Sequence, residues 1–416
     1  MLRKLSLLIV ISTVSYVLGA IAYKNCVYPF CGGALFKVSQ LLKKESSYLN
    51  KVTLLESDFI SGTINWYDLP AKHIEKSSYT DVEFFEGNFY LTMQNGEIYI
   101  LSPTNNLTPL QLPEFDIGLS EFYESAKQSK FEVYEQDWRL GIRDTAVYRR
   151  SGSLEILLSS IIFLDGCVRQ VLSRGLETSE TWEHIYSSEC LYDVSLRAAG
   201  GRIQREGDFA YLTRGDFGAF RDTTNLDKLR ILSQSFEENS VLGVILRISL
   251  IDGTYQVFSK GHRNPQALQI INGELIEGEH GPYGGDEINH IVETKHYGWP
   301  FETFGVQYGE STWPLNKNNR EHLQYQQPAF AFVPSVAISD FAYCEDCQGE
   351  KYNLYMSTLK DNSIYRLKLD KDFKDIVYSE RIHIGERVRS IAMDEELIVF
   401  TTDEIGVYGV INRAYQ

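Results

Sequence analysis

The stretch EGNFYLTMQNGEIYILS, Glu86 to Ser102, contains the pattern that decides the fold class. A turn with a glycine is followed by a short run with apolar residues at alternate positions, a polar break and a second such run. Alternation with a period of two is typical of strands that bury one face, and Gly and Asn between the runs are typical of tight turns. We therefore interpret the stretch as two antiparallel strands, a pair that needs further strands to bury its faces.

The same pattern recurs five more times along the chain. The further copies begin at Ser151, Glu206, Asn272, Glu350 and Asp394, and the second half of the Glu206 copy is delayed to Gly243. Their spacing is uneven, roughly 40 to 80 residues, against about 40 to 50 for a usual propeller blade. Radial stacking buries the faces of such units, so the sequence predicts an all-β fold, a six-bladed β-propeller over residues 76–416 with insertions at one rim.

Composition supports a β fold and excludes one class of partner. Hydrophobic residues make up 43% of the 416 residues and aromatic residues 13%, which suits half-buried strands. The formal net charge is −16, whereas affinity for nucleic acid depends on clustered Lys and Arg that neutralise phosphates. We expect no nucleic-acid partner, and the sequence leaves protein partners unknown.

The amino terminus, MLRKLSLLIVISTVSYVLGAIAYKNC, is typical of an exported protein. Arg3 and Lys4 precede a run of roughly 18 mostly apolar residues, near the length that crosses a bilayer as a helix. Residues 1–22 are therefore predicted to be a signal anchor or, because Ala20 and Ala22 fit a cleavage site, a signal peptide. Span length favours the anchor, which predicts membrane attachment on the periplasmic or extracellular side. Residues 23–75 are interpreted as a stalk leading into the propeller.

Six cysteines lie beyond this segment, in a compartment where disulfides persist. They are Cys26, Cys31, Cys167, Cys190, Cys344 and Cys347. Fifteen pairings are conceivable. The simplest prediction pairs neighbours, 26 with 31, 167 with 190 and 344 with 347. A metal or redox role for the last pair is disfavoured, because a second Cys or His pair is missing and the intervening residues are acidic.

The densest cluster of polar side chains lies in the block GHRNPQALQIINGELIEGEHGPYGGDEINHIVETKHYGWPFETFG, residues Gly261 to Gly305. Polar loops between its strands are typical of ligand sites, although Asn, Asp and Gly also occur in turns for backbone reasons alone. The segment Gly281–Gly285 lacks the Lys and Ser/Thr of a phosphate loop. Its exposed carbonyl groups, with nearby carboxylates, suit a hard cation.

Arg387 and Arg389 are two residues apart on a predicted strand, so both side chains point to one face. Two guanidinium groups on one face require an anion between them, either a ligand carboxylate or an Asp or Glu of the chain. Lys360 lies in the turn of the preceding copy and either joins the two arginines or is an ordinary solvated lysine.

The motifs GHRNPQ, EHGPYGGDEIN and HYGWP, in this order and spacing, resemble those of the soluble aldose sugar dehydrogenases that depend on pyrroloquinoline quinone (PQQ), also called the glucose/sorbosone dehydrogenase family. The likeness extends from about Ala198 to Gly409. Members of this family are six-bladed propellers, in agreement with the repeat count. The resemblance implies an oxidoreductase with a PQQ cofactor and a Ca²⁺ ion, acting on a sugar or another small molecule by hydride transfer.

The resemblance also implies individual roles. The residues implied to bind the cofactor are Arg263, Asn264, His280, Ser335, Lys360, Arg387 and Arg389. The backbone carbonyls of Gly281 and Pro282 are implied to bind the calcium ion. Lys360 and the two arginines would pair with the carboxylates of the quinone.

The chain departs from the family where the proton acceptor is expected. In SLRAAGGR, alignment on the Gly200-Gly201-Arg202 triplet places Ala198 at the position of the family's catalytic His. A positioned base contributes about 10²- to 10⁴-fold to a rate. An earlier family motif is also replaced, by GIRDTAVYRRSG from Gly141. The chain's candidate replacement bases are His262, His280 and Asp216.

The sequence therefore predicts an exported propeller with a PQQ and calcium pocket whose sugar oxidation is weakened or lost. The alternative is a non-catalytic, membrane-tethered binding or interaction propeller. Turnover by the unmodified protein separates the two.

Overall fold

The computed structural model describes residues 52–56, 60–68, 80–102, 107–128, 139–191, 196–220, 229–230, 232–233, 241–315, 324–343, 352–403, 407–412 and 414–415. The predicted signal anchor or signal peptide at residues 1–22 lies outside these ranges. Within them, no helix is both long enough and apolar enough to cross a membrane. The described residues include a short helix, α1, Leu119–Gln128.

The described strands form six antiparallel sheets around a common axis, which confirms the six-bladed propeller. The first described strands are β1 (Val52–Glu56) and β2 (Ile60–Asp68), which belong to the sixth blade. The first blade contains β3 (Thr80–Phe85), β4 (Asn88–Met93), β5 (Ile98–Leu101) and β6 (Leu107–Pro109). The second contains β7 (Gly141–Arg150), β8 (Ser153–Leu164), β9 (Cys167–Leu176) and β10 (Glu183–Ser187).

The third, fourth and fifth blades have four strands each, and the sixth has six because it includes β1 and β2. The third contains β11 (Gly200–Glu206), β12 (Phe209–Arg214), β13 (Val244–Ser249) and β14 (Tyr255–Lys260). The fourth contains β15 (Pro265–Ile271), β16 (Glu274–Glu279), β17 (Asp286–Ile291) and β18 (Phe330–Phe332). The fifth contains β19 (Ile338–Tyr343), β20 (Asn353–Thr358), β21 (Ser363–Leu369) and β22 (Ile376–His383). The sixth adds β23 (Val388–Met393), β24 (Leu397–Thr402), β25 (Val407–Asn412) and β26 (Ala414–Tyr415).

Alternating side chains fill the spaces between blades, as the sequence pattern predicted. Between the fourth and fifth blades the contacting residues include Ala267, Ile276, Ile288, Phe341, Met356 and Leu367. Complete burial of one such aliphatic or aromatic side chain contributes about 1.5–3 kcal/mol. Packing against neighbouring blades therefore stabilises each blade in addition to the hydrogen bonds between its own strands.

The ring is closed by a strand from the opposite end of the chain. Strand β2 pairs antiparallel with β25, and the Trp66 ring packs edge-on against Phe400 with the centroids 5.5 Å apart. The propeller was predicted over residues 76–416, but residues 60–68 form a strand of the sixth blade. Closure of the ring uses a strand, β2, whose partner β25 is more than 300 residues away in sequence. A local sequence pattern cannot show such a pairing, so the start of the propeller was placed too late.

The inner strands place every predicted site residue at one end of the propeller. Strands β3, β7, β11, β15, β19 and β23 surround the axis, and neighbouring strands within a blade are antiparallel. The start of each inner strand and the turn between the second and third strands of each blade therefore share one end. We call this end the upper face.

The predicted pair Cys167–Cys190 is a disulfide, with a sequence separation of 23. The other four cysteines lie outside the described residues. Replacing both Cys167 and Cys190 with Ser is expected to lower the free energy of unfolding by about 3 kcal/mol, because a loop of this length gains entropy in the unfolded chain. Urea unfolding of the double variant and the wild type measures this. A loss below about 1 kcal/mol would contradict the expectation.

Candidate functional site

The Gly200-Gly201 turn opens the third blade at the upper face. Both residues have positive φ, 65° and 110°. The backbone N–H groups of Gly201 and Arg202 donate to Thr213 Oγ1 at 3.0 and 2.9 Å. A Cβ on Gly201 would lie 2.6 Å from the Cβ of Arg143. Only glycine fits here, and the turn directs Arg202 into the axis.

Arg202 connects the inner strands at the axis. Its Nη1 lies 3.0, 2.7 and 3.4 Å from carboxylate oxygens of Asp81, Asp144 and Asp340, respectively. Its Nη2 and Nε donate to the carbonyls of Ser339 and Gln266 at 2.7 and 2.8 Å. These partners belong to the first, second, fifth and fourth blades. One guanidinium group thus holds inner strands that lie far apart in sequence.

The axial carboxylates outnumber their cation. Burial raises the pKa of Asp144 well above its usual range although Arg202 lowers it, and burial also raises the pKa of Asp340 to about 6. The nearby Glu83 has its pKa raised well above its usual value, chiefly by burial and then by Asp81. Protonation of part of this cluster below neutral pH therefore relieves repulsion between the carboxylates.

Ala198 ends the 3₁₀ turn Leu196–Ala198 and is 5% exposed. Its carbonyl accepts a hydrogen bond from Phe217 N at 2.8 Å, and the next carbonyl, of Ala199, accepts one from Gly215 N at 3.1 Å. The turn therefore packs directly against the loop that contains Asp216. The methyl group of Ala198 cannot accept a proton.

Asp216 is 1% exposed, and its carboxylate is already engaged. Oδ1 accepts from Gly218 N at 2.8 Å and Oδ2 accepts from Trp299 Nε1 at 3.0 Å. Burial raises the pKa of Asp216 to about 6, although Arg263 and these hydrogen bonds lower it. A group that titrates near neutral pH thus lies in the loop beside Ala198, but it is closed off from solvent.

Replacing Asp216 with Asn is expected to reduce the pH dependence of stability. Because the folded pKa exceeds the unfolded one, this carboxyl stabilises the fold below about pH 4, and its contribution is lost as the pH rises through about 6. As the pH rises from about 4 to 7, the free energy of unfolding of the wild type should fall by about 1–3 kcal/mol more than that of D216N. Urea unfolding across this range measures the difference. Asp252 is exposed and its pKa is lowered, so D252N is the control, and its stability should change with pH as that of the wild type does. A stability profile of D216N that also equals the wild-type profile would contradict the expectation.

Arg263 lies at the start of the fourth blade, between an aromatic ring and two carbonyl groups. Its Nη1 donates to the carbonyls of His280 and Gly281 at 3.0 and 2.7 Å. The guanidinium carbon is 5.5 Å from the centroid of the Trp299 ring. Arg263 is partly exposed.

His280 is held as a neutral ring. Its Nε2 lies 2.5 Å from the carbonyl oxygen of Ile338, which can only accept, so Nε2 carries the proton. Its Nδ1, 3.3 Å from Asn264 Nδ2, then accepts from the amide. Desolvation lowers the pKa of His280, and Asp286 only partly opposes this. Both nitrogens are used, so His280 has no free lone pair for a substrate proton.

Asn264 joins this histidine to the turn beside Ala198. Its Oδ1 accepts from Gln266 Nε2 at 2.9 Å and lies 3.4 Å from Gly200 N. The predicted residues of the third and fourth blades are therefore in one hydrogen-bonded group.

The turn that contains Gly281 and Pro282 is tightly wound. A Cβ on Gly281 would lie 2.3 Å from the carbonyl oxygens of both Gly284 and Gly285, so no other residue fits without moving the backbone. Carbonyl oxygens crowded into one turn are the donors that a hard cation binds. The Gly281 carbonyl already accepts from Arg263 in this structure.

Ser335 reaches the same turn through Asp286. Ser335 Oγ donates to Asp286 Oδ1 at 2.7 Å, and Gly281 N donates to the same oxygen at 3.1 Å. The other oxygen, Oδ2, accepts from the backbone N–H of Val336 and of Ala337 at 3.0 and 2.6 Å. Asp286 therefore fixes two loops of the upper face to each other, and its four hydrogen bonds leave it poorly placed to ligate a cation.

Asp403, which the sequence analysis did not single out, lies between the two predicted arginines. Its carboxylate accepts from Arg387 Nε at 2.6 Å and from Arg389 Nε and Nη2 at 2.8 and 2.5 Å. Burial raises the pKa of Asp403, but the two arginines outweigh it and hold the pKa below its usual value. A carboxylate of the chain, one of the two kinds of anion considered from the sequence, thus lies between the two guanidinium groups.

Lys360 lies beside this group, in the turn between β20 and β21, with an exposed side chain. Its backbone N–H donates to Val336 at 3.0 Å, and the preceding carbonyl, of Leu359, accepts from Arg387 Nη1 at 3.3 Å. The structure thus brings the predicted cations of the fourth, fifth and sixth blades to one end of the molecule.

Arg143 is a further cation that sequence reasoning missed. It lines a small axial cavity together with Gly200, Arg202, Gln266 and Arg389. It follows Gly141 where the resemblance is faint, so no motif marks it. Asp403 was missed for another reason, since an Asp at a strand end is an ordinary turn residue.

A six-bladed propeller with cations and glycine turns gathered at one end is the class that the fold and site define. The family model described as Glucose / Sorbosone dehydrogenase matches residues 167–408, more than half of the chain. The chain therefore belongs to the glucose/sorbosone dehydrogenase family.

Individual relatives agree with this assignment. Aldose sugar dehydrogenase YliI of Escherichia coli (strain K12) is 28% identical over 217 residues, 50% of this chain and 58% of that protein. The solved structure of the soluble aldose sugar dehydrogenase from Escherichia coli in the apo form has a TM-score of 0.62 at 20% identity, covering 85% of this chain and 100% of that one. The PQQ-bound aldose sugar dehydrogenase from Streptomyces coelicolor has a TM-score of 0.54 at 18% identity, covering 85% and 99%.

These structural matches, at such identities, show the fold alone. The chain spans about half the length of the curated relatives it matches.

Proposed function

We propose that this chain binds PQQ at the upper face and that its oxidation of sugars is weakened or lost. Family membership and the PQQ-bound state of the Streptomyces coelicolor relative support the cofactor. The observation that carries the loss is the buried Ala198, which stands where the family's catalytic His is expected.

The cationic side chains fit an anionic quinone. Arg263, Lys360, Arg387 and Arg389 gather at one end of a protein whose net charge is −16, and Asp403 neutralises part of that local charge. Guanidinium groups bind carboxylates in a bidentate manner, so these side chains can share the cofactor's carboxylates. When bound, PQQ supplies the acceptor for a hydride from the sugar.

The proposed calcium position is partly occupied by a hydrogen bond from the chain itself. The carbonyls of Gly281 and Pro282 would hold it, but Arg263 donates to the Gly281 carbonyl at 2.7 Å. A guanidinium and a divalent cation on one oxygen repel each other, so calcium binding would require Arg263 to turn away. We therefore propose that calcium binds with the quinone, whose negative charge draws Arg263 from the carbonyl.

The candidate replacement bases do not fit the task. Asp216 and His262 are 1% and 0% exposed, so neither contacts a sugar at the upper face. His280 uses both ring nitrogens, on Ile338 and Asn264. A general base must reach the hydroxyl proton with a free lone pair. Each of these groups would have to break a hydrogen bond or leave the core to act.

Absorbance titration of the protein with PQQ and calcium tests the binding proposal. The wild type should bind about one PQQ per chain, and the double variant R387M/R389M should bind at least about 10-fold more weakly because each lost charged contact costs about 1.5–3 kcal/mol. Arg381 forms an exposed ion pair with Asp361 on the outer part of the fifth blade, so R381M is the matched control. Absence of binding, or equal affinity in both variants, would contradict the proposal.

Dye reduction by the loaded protein with a panel of aldoses tests the catalytic part. We expect turnover at least about 10²-fold below that of a family enzyme with the intact base. Ready turnover would contradict the loss of catalysis. PQQ binding without turnover would favour the alternative, a non-catalytic binding propeller tethered at the membrane.

We also propose that the chain is exported to the periplasmic or extracellular side and anchored by residues 1–22. The Cys167–Cys190 disulfide supports an oxidising compartment, and the apolar run after Arg3 and Lys4 supports the anchor. Fractionation of cells that express the full chain, with protease added from outside, tests this. Recovery in the cytosol would overturn it.

A further inference from the structure

A second polar cluster lies inside the fourth blade, next to the backbone of Arg263, whose N–H donates to Glu279 Oε2 at 2.5 Å. His262 precedes β15, and Glu277 and Glu279 are on β16. Their side chains are 0%, 0% and 5% exposed. The three are close enough together for one nitrogen and two carboxylate oxygens to lie within 4.8 Å of one another.

The distances fit a shared ion. His262 Nδ1 is 3.4 Å from Glu279 Oε1 and 3.9 Å from Glu277 Oε2. Donors that bind one ion tetrahedrally at about 2.1 Å lie about 3.4 Å apart. The separation to Glu279 is therefore that of neighbouring ligands, and Glu277 would have to move about 0.5 Å closer to His262 to share the ion.

The histidine is oriented for such a role. Its other nitrogen, Nε2, lies 2.9 Å from Ser259 Oγ, and its ring stacks on Tyr297 with the centroids 4.8 Å apart. A hydrogen bond from the second nitrogen is the usual support for a metal-bound imidazole, because it fixes the tautomer and the ring plane. With Nε2–H donated to Ser259, Nδ1 presents a lone pair to the carboxylates.

One carboxylate oxygen has no partner. Glu277 Oε1 is fully buried and accepts no hydrogen bond. The other oxygen, Oε2, accepts from Asn289 Nδ2 at 3.0 Å, and the same amide lies 3.3 Å from Glu279 Oε1. A buried acceptor left unsatisfied costs about 1–3 kcal/mol, more when charged. The amide of Asn289 thus positions two carboxylates beside the histidine, and one of their oxygens still needs a cation or a proton.

We propose that His262, Glu277 and Glu279 bind one divalent transition-metal ion, zinc or manganese, as a structural site. A nitrogen donor with two carboxylates favours these ions over calcium, which binds oxygen almost exclusively. All three ligands are buried, so the site is closed to a substrate. The ion would connect the segment between β14 and β15, which contains His262, to the second strand of the fourth blade.

This site shares no ligand with the proposed calcium position, although Glu279 also accepts the backbone N–H of Arg263. The calcium position uses backbone carbonyls of Gly281 and Pro282, whereas this one uses side chains. Glu277→Gln should therefore remove the second ion without changing the affinity for PQQ.

The metal content of the purified full-length chain tests the proposal. After dialysis against zinc or manganese and removal of loosely held ions, inductively coupled plasma mass spectrometry should find about one ion per chain. E277Q should bind at least about 10-fold more weakly, since loss of one ligand or its support costs that much. Glu274 is on the same strand but half exposed and bonded to His290, so E274Q is the control and should bind as the wild type does.

The melting temperature is a second measurement, and it shows whether the E277Q variant is folded. The wild type should melt several degrees higher with the added ion than with a chelator, and E277Q should show no such difference while it keeps its disulfide-linked native fold. Fewer than about 0.1 equivalents of either ion in the wild type would overturn the proposal. So would an ion content that E277Q leaves unchanged, or binding of calcium alone.

Discussion

Replacing Ala198 with His is expected to raise the sugar-dependent dye reduction of the PQQ-loaded protein about 10²- to 10⁴-fold. The side chain of Ala198 has no proton acceptor, and the nearby Asp216 and His280 are engaged in other hydrogen bonds. The turn should persist in the variant, because it is held by backbone carbonyls and not by the methyl group. An imidazole with an ordinary pKa near about 6.5 is a suitable base at neutral pH.

Ala198→Gln is the matched control for this gain. Glutamine is similar in size and polar, but it cannot take a proton, so A198Q should stay at the level of the wild type. The rate of A198H should also rise with pH through the pKa of the new histidine. No gain in A198H with PQQ bound, or an equal gain in A198Q, would show that the missing base does not limit this protein.

Replacing Arg202 with Met is expected to lower the free energy of unfolding by about 3–5 kcal/mol. The guanidinium neutralises Asp81, Asp144 and Asp340 in a buried axis, and its removal leaves these carboxylates unpaired. It also breaks the hydrogen bonds to the carbonyls of Ser339 and Gln266. Urea unfolding followed by tryptophan fluorescence measures the loss.

An exposed arginine provides the control. Arg149 pairs with Glu86 at 2.7 Å, but both side chains are nearly half exposed, so R149M should lower the free energy of unfolding far less than R202M does. The loss in R202M should shrink at about pH 4, because Asp144 and Asp340 have raised folded pKa values and are protonated there. A loss in R202M no larger than in R149M would contradict the role of Arg202.

The blade number follows from local sequence because each blade repeats the same pair of alternating runs. The copies at Glu86 and Glu350 form the central strands of the first and fifth blades. Strand periodicity and turn residues are encoded within a few neighbours, so one sequence suffices to read them. The motif that spans Arg263 to Gly281 could likewise be located, since its members are close in the chain.

The partners of those residues could not be predicted in this way. Asp403 lies between Arg387 and Arg389 only because β24 and β23 are paired, and Ser335 meets Gly281 only through Asp286. No local pattern distinguishes these carboxylates from ordinary turn residues. Predicting which anion the arginines would bind therefore required the register of the strands.

By itself, the sequence determined the all-β class, the six repeats, the family motifs and the position of Ala198, because each is a matter of residue type and spacing along the chain. The tertiary structure alone decided that β2 closes the ring, that Arg202 joins the inner strands and that His262 meets Glu277 and Glu279. These contacts depend on how distant strands pack around one axis. Burial then changes what the same side chains can do, since a carboxylate that is ordinary in water needs a proton, an arginine or a metal ion in the core.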